Sequence, residues 1–239
     1  QPEVMITFDC GSLGRLGGLE PSARAARSLV VVDHHISNTR FGSINLIDPD
    51  AAASAVVALE LARACGLELI RDAAICLFAA LVCDTGRFQY ESTTPAVFDL
   101  ARELLAFDIP VAELSRVLFD EHRFAYLGLV SEALGRMVLV APKRFVWAGV
   151  SQDDLRRHDV TIEETEGLID LVRRTAEADV ACVLKEEAGG LVRVSLRSLG
   201  GTDVSKLAET FGGGGHRFAA GFTAEGPITA VAEKIEHLL

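Results

Sequence analysis

The chain has 239 residues, enough for two modest domains, and its 49% hydrophobic and 24% charged residues can fill ordinary globular cores. A net charge of −11 and a pI near 5.0 exclude the basic face that a long nucleic-acid track needs. An acidic chain can still act on phosphates where metal ions supply local positive charge, so the balance points to a small anionic substrate at a focused site.

No apolar run approaches the roughly 18 residues that span a bilayer. Gln1 to Thr7 show neither the charged n-region nor the cleavage site of a signal peptide. The five cysteines have no C-x-x-C spacing. Apart from Cys10, they (Cys65, Cys76, Cys83 and Cys182) sit in apolar segments. They read as small core residues of a protein kept in a reducing cytoplasm, with no membrane partner.

Val4 to Phe8 reads as a buried strand ending on Asp9, and it begins so early, without an initiator Met, that an upstream segment is expected. A short helix fits Pro21 to Ser28, and a second strand, Leu29 to Val32, runs into Asp33-His34-His35. Continuous apolar strands are what a parallel sheet covered on both faces requires. A turn-rich stretch, Phe41 to Asp50, leads to helices at Ala51 to Ala64, Arg71 to Cys83, Pro95 to Ala106 and Pro110 to Leu118. Residues 119–136 read as a connecting helix. Beyond it, strands fit Met137 to Val140, Arg144 to Val150, Asp179 to Glu186 and Leu191 to Arg197, the last two joined by the hairpin signal Ala188-Gly189-Gly190. Helices fit Thr165 to Ala176, Asp203 to Phe211 and Ile228 to Leu238. The expected architecture is α/β: a parallel-sheet N-terminal domain over 1–118, and a smaller α+β C-terminal domain with a mixed sheet over 137–239.

The chemistry gathers at strand ends, where open α/β sheets bind ligands. Asp33, His34 and His35 emerge at the carboxyl end of one apolar strand and Asp9 at the end of another. Asp84 stands where the apolar helix before Thr85-Gly86 stops. Mixed carboxylate and imidazole ligands favour manganese, iron or zinc over magnesium. A lone Asp in such a place is as well read as a turn or cap residue, but two adjacent histidines after a buried strand are harder to explain without a metal. Gly212 to Gly215 is either a flexible loop or a backbone nest for an anion, with His216 as an added donor. Arg197 can fork onto a phosphate or stand solvated at a strand end. Arg87 is a weaker substrate candidate, Ser54 weaker still, and Asn38 either meets substrate or braces the loop after the histidines.

Several segments together resemble the DHH phosphoesterases. Val32-Asp33-His34-His35-Ile36-Ser37-Asn38, Phe41-Gly42 and Asn45-Leu46-Ile47-Asp48 resemble the signature segment, Asp84-Thr85-Gly86-Arg87-Phe88 the fourth motif, and Phe8-Asp9 the second. Phe211 to Gly221 is similar to the glycine-rich motif of the DHH-associated C-terminal domain. The nanoRNase/pAp phosphatase branch fits best.

The resemblance implies two Mn2+ ions, with Mg2+ as a substitute. Asp9 would bridge the pair, and His34 and Asp84 would bind one ion. Asp33 would orient its neighbouring imidazoles and His35 would face the scissile phosphate. The C-terminal domain would close over the cleft and hold the far end of the substrate through Arg197, Gly212 to Gly215 and His216. Implied substrates are nanoRNA, linear dinucleotides such as pApA, 3′-phosphoadenosine 5′-phosphate and cyclic di-AMP, with a homodimer as the assembly. One departure stands out. The first motif, a His followed by two Asp, is not opened by His34, His35, His122, His158, His216 or His237. The expectation is an upstream truncation, which would leave this piece a poor catalyst; the alternative is a non-catalytic nucleotide-binding module. A family II pyrophosphatase or exopolyphosphatase and a RecJ-type exonuclease are weaker rivals. The first lacks the closing motif, and the second needs a further domain and a basic track.

Overall fold

The computed structural model describes residues 2–239, which divide between Val117 and Leu118 into two compact units. In the first, β1 (Val4–Phe8) leads through a 3-10 stretch to α1 (Glu20–Ala25), then β2 (Ser28–Asp33) and β3 (Ile44–Ile47). The three strands form a parallel sheet in the order β1-β2-β3. The helix expected to reach Ser28 stops earlier, because Ala26 is extended and Ser28 pairs with Val4. Strand β3 lies within what reads as turns. Asn45 bonds its side chain back to both the Gly42 N–H and carbonyl, which tightens the turn and lets Ile44–Ile47 pair with Val30–Asp33.

Met5, Leu29 and Val31 pack on Ala23, Leu13, Leu16 and Phe41 on one face of the sheet. Val4, Ile6, Phe8 and Ile44 remain 46–58% exposed, so β1 is covered on one face rather than buried on both. Next come α2 (Ser54–Ala64), α3 (Arg71–Asp84), α4 (Pro95–Leu105) and α5 (Val111–Ser115). Cys76 and Cys83 lie seven residues apart on α3, on the side away from buried Ala74, Phe78 and Leu81. Along with Cys65 they are exposed, and Cys182 alone of the five is a core residue.

The second unit opens with α6 (Phe124–Gly135), after a π turn at Arg116–Asp120. The stretch read as a connector is therefore core: Tyr126, Leu129, Val130 and Ala133 are buried among the strands and helices of this unit. With α6 included, the second unit is no smaller than the first. It continues through β4 (Val138–Val140), β5 (Phe145–Val150), α7 (Gln152–His158), α8 (Leu168–Val172), β6 (Val180–Glu186), β7 (Leu191–Ser198), α9 (Val204–Glu209), β8 (Gly214–His216), β9 (Ala219–Glu225) and α10 (Ile228–Leu238). The mixed sheet has the order β4-β5-β6-β7-β9-β8, with β5 and β6 parallel and its other pairs antiparallel. Helices α6 to α8 cover Val146, Ala148, Ala181 and Val183 on one face. Helices α9 and α10 cover Val194, Leu196 and Phe222 on the other. No helix among the described residues is long and apolar enough to cross a membrane.

The glycine run joins a helix stop to an edge strand. Gly212 N–H donates to the Glu209 carbonyl and Gly213 N–H to that of Ala208, a Schellman stop for α9 with Gly212 left-handed at φ 77°. Gly214 and Gly215 then enter β8 and pair with Gly221 and Ala220. A Cβ on Gly213 would collide with the Gly221 carbonyl and with Phe222. The run is glycine because helix and sheet meet there without room for side chains. Gly213→Ala is expected to lower the unfolding free energy by about 1–3 kcal/mol, the range for overpacking a filled core. Urea unfolding checks this, and an unchanged midpoint would mean that the corner relaxes freely.

Candidate functional site

The site of the first unit is assembled around Asp33, the last residue of β2 and wholly buried. Its Oδ1 accepts from the His34 N–H at 2.8 Å, the His35 N–H at 3.3 Å, His35 Nδ1 at 2.7 Å and Ser54 Oγ at 3.2 Å. Its Oδ2 accepts from Asn38 Nδ2 at 2.5 Å. Burial alone would raise this carboxyl, but hydrogen bonds from His35 and Asn38, the charge of His35 and the His34 N–H hold it well below the ordinary carboxylate range. The same contact, opposed by burial, raises His35. A carboxylate oxygen only accepts, so His35 carries its proton on Nδ1.

His34 is 7% exposed, with Nδ1 3.1 Å from the Ala51 carbonyl. A carbonyl cannot donate, so Nδ1 is the protonated nitrogen and, in the neutral ring, Nε2 presents a lone pair. That nitrogen lies 3.7 Å from Asp9 Oδ1 and 3.7 Å from Asp84 Oδ2, beyond hydrogen-bond reach. The ligating atoms of Asp9, His34 and Asp84 all fall within 4.8 Å of one another. Electron-rich atoms converging on one point repel unless a proton or a cation stands among them. The donor set of two oxygens and one nitrogen fits a divalent transition ion.

Local backbone structure delivers both carboxylates. Asp9 turns off the end of β1 with φ 59°, while its N–H still pairs with the Val32 carbonyl. Asp84 closes α3, where a second Schellman stop runs from Gly86 N–H to Cys83 and from Arg87 N–H to Val82. Gly86 is left-handed at φ 56°, and any Cβ there would strike the Tyr90 ring. Arg87 and Phe88 follow at φ 61° each, a strained conformation of about 1–2 kcal/mol per residue in a small turn beside the ligand. Asp84 is pushed up to about 6, first by burial and then by the Asp9 and Asp33 carboxylates, against the lowering influence of His34 and His35. Its place at the negative end of α3 adds to the conflict. A cation at this point would resolve it.

The structure thus groups Asp9, Asp33, His34, His35, Asn38, Ser54 and Asp84. Asn38 braces the loop after the histidines. Its Nδ2 serves Asp33 and the Cys10 carbonyl, and its Oδ1 accepts from the Arg40 N–H. Arg87 is exposed on the turn after Asp84. Ser54, weighted least from sequence, is 6% exposed and touches two carboxylates. Its position as the opening residue of a helix with no side-chain cap was the one available signal.

In the second unit, β7 alternates buried Val192, Val194 and Leu196 with half-buried Arg193, Ser195 and Arg197. Pairing puts Arg197, Ala219 and His216 in one row on the same sheet face, with Ser195, Gly221 and Gly214 in the next. Arg197 and His216 are two strands apart, about 10 Å at ordinary strand spacing. Arg197 Nη1 donates to the Leu196 carbonyl, while its buried Nε has no hydrogen-bond partner among the described residues. The N–H groups of Gly212 and Gly213 are committed to α9, and the face beside β8 presents the side chains of Arg197 and His216 with small residues between them.

Residues 144–239 match the DHHA1 domain family. The bifunctional oligoribonuclease and PAP phosphatase NrnA of Thermus thermophilus is 31% identical over 201 residues, 83% of this chain and 59% of that protein. The protein of the same name from Bacillus subtilis is 26% identical over 198 residues, 81% of this chain and 61% of its own. The chain therefore spans about three fifths of the length of these curated relatives. An exopolyphosphatase-related protein from Bacteroides fragilis superposes with a TM-score of 0.87 at 22% identity, over 99% of this chain and 71% of that one, a likeness of fold. Over both units the chain is thus similar to the oligoribonuclease and PAP phosphatase NrnA proteins, and its match to the DHHA1 domain family falls in the unit that follows the parallel sheet.

Proposed function

We propose that the chain carries the phosphoester-hydrolysing site of a Mn2+-dependent enzyme acting on very short oligoribonucleotides, linear dinucleotides such as pApA, and 3′-phosphoadenosine 5′-phosphate. The observation that carries this reading is the His34 Nε2 lone pair facing Asp9 and Asp84, each at 3.7 Å. The names of the relatives from Thermus thermophilus and Bacillus subtilis support the substrate class. When bound, a divalent ion supplies Lewis acidity, lowering the pKa of water and neutralising phosphoryl oxygens.

The residues of the chain do the rest. Asp9, His34 and Asp84 hold the ion, and the Ala51 carbonyl keeps His34 in the ligating tautomer. Asp33 fixes the ring of His35 through Nδ1, so Nε2 of that raised imidazole is the atom that hands on a proton. In the second unit, Arg197 and His216 grip a phosphate-bearing end of the substrate, and the small floor between them admits the nucleotide. An acidic chain can hold such anions because it meets only a few phosphates.

Calorimetric titration of the 239-residue chain with Mn2+ should find one tight site, and His34→Ala or Asp84→Asn should weaken it at least about tenfold, as the loss of a direct ligand demands. Two tight sites, or an affinity indifferent to both changes, would contradict the assignment. The role of Arg197 is tested by steady-state kinetics. Arg197→Ala should remove about 1.5–3 kcal/mol of charge-assisted hydrogen bonding, a roughly ten- to hundredfold fall in kcat/KM for pApA and 3′-phosphoadenosine 5′-phosphate at about 1.4 kcal/mol per decade. A small generic phosphodiester should be spared. His35→Ala should depress both substrate types, since it acts at the phosphoryl group they share.

A further inference from the structure

Among the acidic groups of the site, Asp9 is held least. Its side chain is 55% exposed, against 34% for Asp84 and none for Asp33. It follows a strand end with a left-handed backbone, so neither strand nor helix fixes its rotamer. Both nearby imidazole nitrogens stand 3.7 Å from Oδ1, too far to hydrogen-bond. Among the described residues, the one hydrogen bond its carboxylate receives is from Ser54 Oγ, 2.8 Å from Oδ1.

Ser54 has a single proton to give and two acceptors in reach, Asp9 Oδ1 at 2.8 Å and Asp33 Oδ1 at 3.2 Å. Asp33 Oδ1 already takes three other donors, from the His34 N–H, the His35 N–H and His35 Nδ1. The proton therefore belongs with Asp9, whose Oδ1 has no other donor. The hydroxyl cannot drift, because Ser54 is 6% exposed and opens the eleven-residue helix α2. Helix α2 packs on β2, the strand that ends in Asp33. One buried side chain, on a helix packed against β2, thus holds the loosest carboxylate of the site.

We propose that Ser54 is a positioning residue that clasps Asp9 Oδ1 and so sets the pose in which Asp9 shares a centre with His34 and Asp84. The inference rests on the metal reading of Asp9, His34 and Asp84. Without the clasp, a half-exposed carboxylate samples rotamers pointing to solvent, and the ion must select the ligating one from that ensemble.

The test is Mn2+ affinity of the whole chain, with wild type, Ser54→Ala, Ser54→Cys and Ser54→Thr compared. Losing a side chain that orients a ligand typically costs about 10–100-fold in metal affinity, and that rise in Kd is expected for Ser54→Ala. Ser54→Cys, similar in shape but a weak donor, should lose nearly as much, and it decides the matter if the alanine variant does not fold. Ser54→Thr keeps the hydroxyl and should bind close to wild type. A merely structural serine would lower the melting temperature in chelator while leaving the affinity of the folded protein alone; that result overturns the proposal. A metal-free crystal structure of Ser54→Cys or Ser54→Ala separates this failure from failure of the metal reading. If wild type binds no Mn2+, the metal reading fails, yet an Asp9 carboxylate displaced from its place beside His34 still supports the clasp. An Asp9 carboxylate that stays where it is now overturns it.

Discussion

A carboxylate with no exposure to water stays ionised only if donors surround it, and the first unit is built to surround Asp33. Two backbone N–H groups, an imidazole and an amide converge on its two oxygens. Each donor is thereby placed: His34 and His35 are turned off the end of β2, and Asn38 draws the following loop back. Because its folded value lies below the unfolded one, Asp33 contributes stability that is present above about pH 4 and lost as pH falls through the folded value. The anchor of the site is thus also part of the fold's acid sensitivity.

Around that anchor, the fold assembles a charge arrangement that it does not itself neutralise. His34 is locked by the Ala51 carbonyl with its other nitrogen toward Asp9 and Asp84, and Asp84 sits at the negative end of α3. A carboxyl raised to about 6 destabilises the folded state at higher pH, where it must be ionised. The left-handed turn Gly86-Arg87-Phe88 adds backbone strain at the same spot. Proteins retain such conflicts where function requires them. A cation bound there would remove the electrostatic part, and whatever it relieved in the folded state would be returned as affinity.

Much of this was legible in the chain because strand ends and helix stops have strong local signatures. The run Leu29-Val30-Val31-Val32 is short, apolar and β-branched, which marks a buried strand, so the residues that follow it must emerge at the end of a sheet. The continuous apolar run of α3 likewise marks Asp84 as a terminus. What escaped depended on pairing or packing. Strand β3 is four residues held by register with β2, and β8 and β9 are strands whose glycines read as loop until Gly221 is seen opposite Gly214. The capping box of α7, Ser151 with Asp154, was a local signal and could have been read. The exposure of Cys65, Cys76 and Cys83 could not, because it depends on which side of each helix meets the core.

The glycine run shows how a correct motif can carry the wrong physical reason. Four glycines beside a histidine suggest N–H groups waiting for an anion, yet two of those groups finish α9 and the next two glycines are strand. Their contribution is to let β8 lie close against β9 with only the methyl of Ala219 in the row between Arg197 and His216. An arginine and a histidine on either side of a floor of small residues are a different device from a nest. A nest binds any small anion by its backbone, whereas a floor with two separated donors selects a flat, extended group that carries its charge at an edge. For a chain of net charge −11, that distinction matters. Net negative charge gives no general attraction for polyanions, so under the proposed reading discrimination would rest on shape and on a few focused contacts.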